Sequence, residues 1–196
     1  MNSGIAADDS LEELSKDAVE YLTTTRTMLG ISESVTGGNI AACLTGVSGC
    51  SKVLFASQVI YAMLGKSSFL DIPMATLEQE GTVSAFVINH MLDTMANRFF
   101  LALNRERDAI GETLPSHFIS LATTGIAGDP IENKPTGFVL IGLTLYAIRE
   151  TESFEPDIVH HELHEFNFHG TRNEITMAAT REAFSMIIDN GNALLE

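Results

Sequence analysis

Apolar positions along the chain recur with two periods, and the switching between them lays out the elements. Over residues 11–22, Leu11, Leu14, Ala18, Tyr21 and Leu22 share one helical face. Ser10 and Glu13 supply the pattern of a capping box in front of that helix. Residues 26–32 read as a short buried strand, followed by the turn Ser34-Val35-Thr36-Gly37-Gly38 and a helix through about Leu44. Residues 53–62, rich in apolar and β-branched side chains, predict a second strand ending at Tyr61. The strongest helical pattern covers 83–103: Phe86, Val87, His90, Met91, Met95, Phe99 and Leu103 form a stripe, with Asn89, Asp93 and Asn97 facing outward.

The polar stretch 104–116, with Gly111 and Pro115, reads as a surface loop. Residues 117–122, 138–148 and 157–168 are predicted strands, the last two joined through 150–156 as a long hairpin turn. Residues 171–189 form a closing helix with Asn190-Gly191 as its C-cap. Helices and strands alternate first and antiparallel strands follow late. That order predicts an α/β fold, a single three-layer α/β/α domain with a mixed sheet over 11–196, preceded by a short flexible leader, 1–10.

Composition narrows the class. At 196 residues and 45% hydrophobic, the chain can bury one sizeable core. No apolar run approaches membrane-spanning length, and no basic start precedes an apolar run, so neither a membrane span nor a secretory signal is expected. Cys43 and Cys50 cannot build a disulfide framework and match no common zinc spacing, which suits a reducing cytoplasm. A net charge of −15 argues against binding nucleic acid through its backbone.

In a sheet of this kind ligands gather at strand ends. Four segments are expected there: 33–38, 61–66, 123–128 and 170–172. The first places Ser34 on a tight strand-to-helix turn, where free backbone N–H groups would bind a phosphate or stabilise an oxyanion. Two phosphate motifs are excluded. Gly65-Lys66-Ser67 lacks the P-loop glycine, its place taken by Ile60, and Gly125-Ile126-Ala127-Gly128 lacks the dinucleotide fingerprint.

Taken together, these segments carry a family pattern. Glu33-Ser34-Val35-Thr36-Gly37-Gly38, Gly49-Cys50-Ser51, Tyr61 with Lys66, Gly81-Thr82-Val83-Ser84, Thr124-Gly125-Ile126-Ala127-Gly128-Asp129, Lys134-Pro135-Thr136-Gly137 and Gly170-Thr171-Arg172 follow in order. In this order and spacing the chain resembles the C-terminal domain of the CinA (competence-damage-inducible) family, the nicotinamide mononucleotide amidohydrolases. The resemblance implies hydrolysis of the carboxamide of nicotinamide mononucleotide, or a close pyridine nucleotide, to the acid and ammonia. It implies Ser34 as nucleophile and Lys66 with Tyr61 as the proton-handling pair. Thr36, Gly37, Gly38, Thr124, Gly125 and Arg172 become substrate-binding or supporting residues. The partner is then a small-molecule nucleotide, with no cofactor and no metal, in a homo-oligomer. A serine needs a base, and lysine serves if burial and a cationic neighbour lower its pKa.

The chain departs from the family pattern at Val35 (cysteine in the family), at Ala62-Met63-Leu64-Gly65 (Ser-Asn-Glu-Ala), at Asp129 (proline) and at Thr176 (often arginine). These changes bear on substrate identity more than on reaction type. The longer relatives' N-terminal domain, which resembles pterin-cofactor proteins, contributes no expected activity here. Two rival readings remain: a catalytically silent member that binds a nucleotide or acts through its oligomer, and a metal site among His160, His161, His164 and His169. Alternation across 159–164 suits a strand with solvated histidines better than a metal-binding helix. His90 and the Met63, Met74, Met91 and Met95 set read as core or interface filler.

Overall fold

Near-continuous apolar runs become central strands, because a strand covered on both faces has no side on which polar residues are favoured. In the computed structural model, which describes residues 9–110, 114–149 and 153–195, β3 (His117–Gly125) and β4 (Phe138–Ala147) are buried along almost their whole length. They sit inside a five-stranded sheet of order β2-β1-β3-β4-β5, with β1 spanning Thr27–Glu33, β2 Leu54–Val59 and β5 Asp157–Asn167. β2, β1 and β3 are parallel to one another, β4 pairs antiparallel with β3, and β5 pairs antiparallel with β4. The chain leaves β1 for β2 on one side and then crosses to β3 on the other. The topological switch therefore lies at the carboxyl ends of β1 and β3.

Helices cover both faces, as the alternating pattern predicts. Helices α1 (Asp9–Thr24), α2 (Asn39–Thr45) and α7 (Arg172–Leu195) pack on one side around Leu29, Ile31, Leu121, Ile141 and Phe184. On the other side lie α3 (Met63–Leu70), α4 (Met74–Glu80) and α5 (Ala85–Arg105). α5 begins at Ala85 rather than 83 because Ser84 caps it, its hydroxyl accepting from the Val87 amide at 3.3 Å. Its buried face holds Val87, Met91, Met95, Phe99 and Leu103 as expected, together with Ile88, Leu92, Ala96 and Phe100. Phe86 and His90 sit at the margin of that face, only partly buried, their rings 4.2 Å apart.

Several expectations are corrected. The stretch between β2 and α5 forms two short helices, α3 and α4, which have too few turns to display a period. The predicted loop 104–116 contains α6 (Arg107–Ile110), and residues 111–113 lie outside the described residues, as do 150–152 of the expected hairpin turn. β3 runs on to Gly125, so Thr123 and Thr124 are strand residues. α1 starts at Asp9, which puts Ser10 inside the first turn with its hydroxyl accepting from Arg181 Nε at 3.2 Å. The expected leader is described only from residue 9 onward. α7 passes through Asn190-Gly191 without ending. Asn190 is buried and its amide nitrogen donates to the Met186 carbonyl at 2.9 Å and to Glu162 at 2.5 Å, which satisfies it within the helix. Among the described residues no helix is long and apolar enough to cross a membrane.

Candidate active site

Strand alternation decides where Ser34 points. On β1, Leu29 and Ile31 face the α1–α7 layer, and Glu33 follows them toward α2. Gly30 and Ser32 face α5, where the Ser32 hydroxyl donates to the Met91 carbonyl at 3.3 Å. The next residue on the α5 face is Ser34, only 6% exposed. On β3 the same rule sends Thr123 toward α2 and Thr124 toward α5. Glu33 pairs with Thr123, and the Ser34 amide continues the ladder by donating to the Thr123 carbonyl at 2.9 Å. Ser34 and Thr124 are the residues that follow this last pair of the register.

The turn after Ser34 is held from below. The Glu33 carboxylate, fully buried, accepts from the amides of Gly38 (2.9 Å), Ile40 (3.2 Å) and Ala41 (3.0 Å), and from the Ser57 hydroxyl at 3.4 Å. A carboxylate at a helix start also meets the positive end of the helix dipole. The expected free donors at the α2 N-terminus are thus already engaged. Gly37 and Gly38 make the approach with φ of 64° and 100°, a region that side chains with a Cβ rarely adopt. Thr36 bonds the Thr123 hydroxyl at 2.8 Å, and that hydroxyl also accepts from the Ser34 amide at 3.4 Å, so Thr36 braces the turn. The Val35 and Thr36 amides, directly after Ser34, donate to no group among the described residues.

Lys66 is not a solvated helix-start charge. It lies in the first turns of α3, 2% exposed, and its ammonium donates to the Thr82 carbonyl at 2.5 Å and the Thr124 hydroxyl at 2.9 Å. Burial pushes its pKa down to about 8, against a counter-pull from the Glu132 carboxylate. Among the protein's own groups, burial is what lowers it. Tyr61 is 61% exposed, and its hydroxyl accepts from Arg172 Nη1 at 3.0 Å.

Arg172 opens α7 and lies over Gly128, where a Cβ would collide with Arg172 Nη2. Glu174 does not pair with it but folds back on Thr171, accepting from its amide at 2.7 Å and its hydroxyl at 2.8 Å. Gly125 closes β3 opposite Val139. Thr176 donates to the Val35 carbonyl at 3.4 Å, tying α7 to the serine turn.

The structure therefore joins Lys66 to Thr124, one residue beyond the Glu33–Thr123 pair that precedes Ser34, and links Tyr61 to Arg172 as a second pair. Sequence reasoning missed Glu33, Thr82, Thr123 and Glu132 as supporting groups. Glu33 was in view as part of the serine motif, but nothing in a one-dimensional pattern says that its carboxylate turns inward onto α2. Three histidines of the metal reading, His160, His161 and His164, lie on β5, and His169 follows its end. His161 bonds the Thr144 hydroxyl at 2.9 Å, and His164 and His160 approach Glu162 at 2.9 and 3.7 Å. Among the described residues no group of three or more His, Cys, Asp or Glu side chains is placed to hold a metal ion.

Comparison with known proteins gives a consistent answer. Residues 11–102 match the CinA C-terminal domain. A competence-damage inducible protein of Streptococcus gordonii is 32% identical over 149 residues, 76% of this chain and 31% of the relative. A CinA-like protein of Endomicrobium trichonymphae is 29% identical over 179 residues, 90% of this chain and 35% of the relative. The chain thus spans about a third of the length of these curated relatives. The crystal structure of the competence/damage inducible protein CihA from Agrobacterium tumefaciens superposes with a TM-score of 0.69 at 27% identity, over 95% of this chain and 96% of that one. A CinA superfamily protein of Escherichia coli shares the fold at 21% identity, with a TM-score of 0.70 over 100% and 96% of the two chains.

Proposed function

Because the chain belongs to the CinA C-terminal domain family, we propose that it hydrolyses the carboxamide of a pyridine nucleotide, nicotinamide mononucleotide or a close relative, with Ser34 as nucleophile. The observation that carries this reading is the buried Lys66 amine, 2.9 Å from the hydroxyl of Thr124, which follows the Glu33–Thr123 pair on β3 as Ser34 follows it on β1. A serine hydroxyl is a weak nucleophile until a base takes its proton, and an amine with a pKa of about 8 is partly neutral near pH 7.

In the proposed reaction Ser34 Oγ attacks the amide carbon while the neutral Lys66 amine takes the hydroxyl proton. The Val35 and Thr36 amides are the donors for the oxygen that becomes negative, since the residue after a nucleophile on such a turn is well placed for that role. The C–N bond then breaks, Lys66 returns the proton to the leaving nitrogen, and ammonia departs. Water attacks the resulting ester, Lys66 takes its proton, and the acid leaves with Ser34 restored. Arg172, propped by Tyr61, offers a two-pronged donor to the substrate phosphate. The substitutions between Tyr61 and Lys66 leave the lysine on its helix, so they bear on what binds rather than on the base.

The test of substrate class is ammonia release from nicotinamide mononucleotide, nicotinamide riboside and free nicotinamide, with chelator present. The mononucleotide is expected to turn over with the highest kcat/KM. Equal rates on all three would remove the phosphate role of Arg172. Stabilisation by the nucleotide without ammonia release from any of them would leave a binding protein.

A further inference from the structure

The loop between β3 and β4 makes a contact that neither the fold nor the proposed chemistry accounts for. Glu132 and Asn133 both adopt left-handed backbone conformations, φ 53° and 58°, which residues with a Cβ adopt only at a cost. The result is that Glu132 reaches back to the segment preceding α5. Its carboxylate accepts from the Thr82 amide at 2.7 Å, the Thr82 hydroxyl at 2.6 Å and the Val83 amide at 3.2 Å. Gly81, with φ of 84°, makes room for it: a Cβ there would stand 2.6 Å from Glu132 Oε2. The carbonyl of the residue so gripped, Thr82, receives the Lys66 ammonium at 2.5 Å and the Thr124 hydroxyl at 3.3 Å.

We propose that Glu132 is a positioning residue for Lys66: it locks the turn at 81–83, and the Thr82 carbonyl so fixed, with the negative charge behind it, holds the ammonium beside Thr124. The charge balance around Lys66 supports this. α3 carries no other ionisable side chain, and Glu132 is the charged group that acts on the lysine from outside its own helix. Lys134 stands on the far side of Glu132, 3.9 Å away. Burial works to raise the Glu132 carboxyl, but the hydrogen bonds from Thr82 and Val83, with Lys134 nearby, outweigh it and hold the group below the usual carboxylate range. Glu132 is therefore an anion throughout the pH range in which Lys66 titrates. It offsets part of the burial penalty and keeps the amine from being neutral at all times. The catalytic meaning of this rests on Lys66 acting as the base, but the positioning itself does not.

The chain contains four lysines, Lys16, Lys52, Lys66 and Lys134, so NMR of 13C-labelled lysine side chains can follow Lys66 alone. Titrations of wild type, Glu132→Gln and Glu132→Asp would give its midpoint directly, without any turnover. The expected result is a midpoint lower by roughly half a pH unit or more in Glu132→Gln, about a threefold loss in proton affinity. Glu132→Asp keeps the charge but is too short to hold Thr82, and a smaller fall is expected. If the glutamine variant fails to fold, the aspartate variant decides alone. A Lys66 midpoint that stays put in the folded variants would overturn the proposal. A midpoint that moves in a protein releasing no ammonia would uphold the positioning and reject the amide hydrolysis.

Discussion

The Lys66 ammonium and the Thr124 hydroxyl, 2.9 Å apart and both buried, join α3 to the carboxyl end of β3. Since burial lowers the Lys66 pKa to about 8, the amine loses its proton within an accessible pH range. A base must be neutral to act. The kcat/KM for ammonia release is therefore expected to climb about tenfold per unit as the pH rises toward 8 and then to level off. A flat profile between pH 6 and 9 would show that another group is the base.

The same depressed pKa has a stability consequence. The unfolded lysine holds its proton up to about pH 10.5, whereas the folded one releases it near 8. Below pH 8 both are charged, and the native state carries the full burial penalty, of order 3 kcal/mol from that shift. Between 8 and 10.5 the unfolded state binds more protons, so this penalty fades as pH rises. Lys66→Met is expected to be inactive yet more stable at pH 7 by about 2 kcal/mol, raising Tm by about 4–8 °C. The difference from wild type should narrow when the melts are repeated at pH 10.

Glu33 supports the serine turn by a different mechanism. Its buried carboxylate satisfies three backbone donors of α2 together with Ser57. Glu33→Ala would strand those donors and is expected to cost about 3 kcal/mol. Chemical denaturation would measure it, with loss of turnover even where the variant is still folded. A change below about 1 kcal/mol would mean that the turn holds itself.

How far these groups were legible in the sequence follows from what a linear pattern encodes. The strands were readable as apolar and β-branched runs bounded by turn residues, and the long α5 by its period over many residues. Ser34, Lys66, Thr124 and Arg172 were readable because the motifs around them keep a family order. What was not readable was direction. Tyr61 and Lys66, five apart in sequence, point to different partners, one to Arg172 and the other to Thr82 and Thr124. The role of Glu132 depends on two left-handed residues in a loop, for which the sequence Glu132-Asn133 offers only a weak signal.

Tyr61 and Arg172 are bonded at 3.0 Å, and the proposed reaction gives this pair the substrate phosphate rather than the proton. Arg172→Ala is expected to raise KM for nicotinamide mononucleotide about tenfold or more while kcat changes little. Tyr61→Phe removes one hydrogen bond from the arginine and should raise KM by a few fold. Steady-state kinetics separate the parameters. A fall in kcat with KM unchanged in Tyr61→Phe would return the tyrosine to the proton-handling role.

The central claim is that Ser34 forms the bond to the substrate. Its backbone ladder is independent of its hydroxyl, so Ser34→Ala should fold and melt like wild type. The decisive measurement is ammonia release from nicotinamide mononucleotide by the two proteins, at equal concentration with chelator present. The account predicts turnover by wild type and a loss of about a thousandfold or more in the variant. Turnover that survives in a folded Ser34→Ala protein would contradict it.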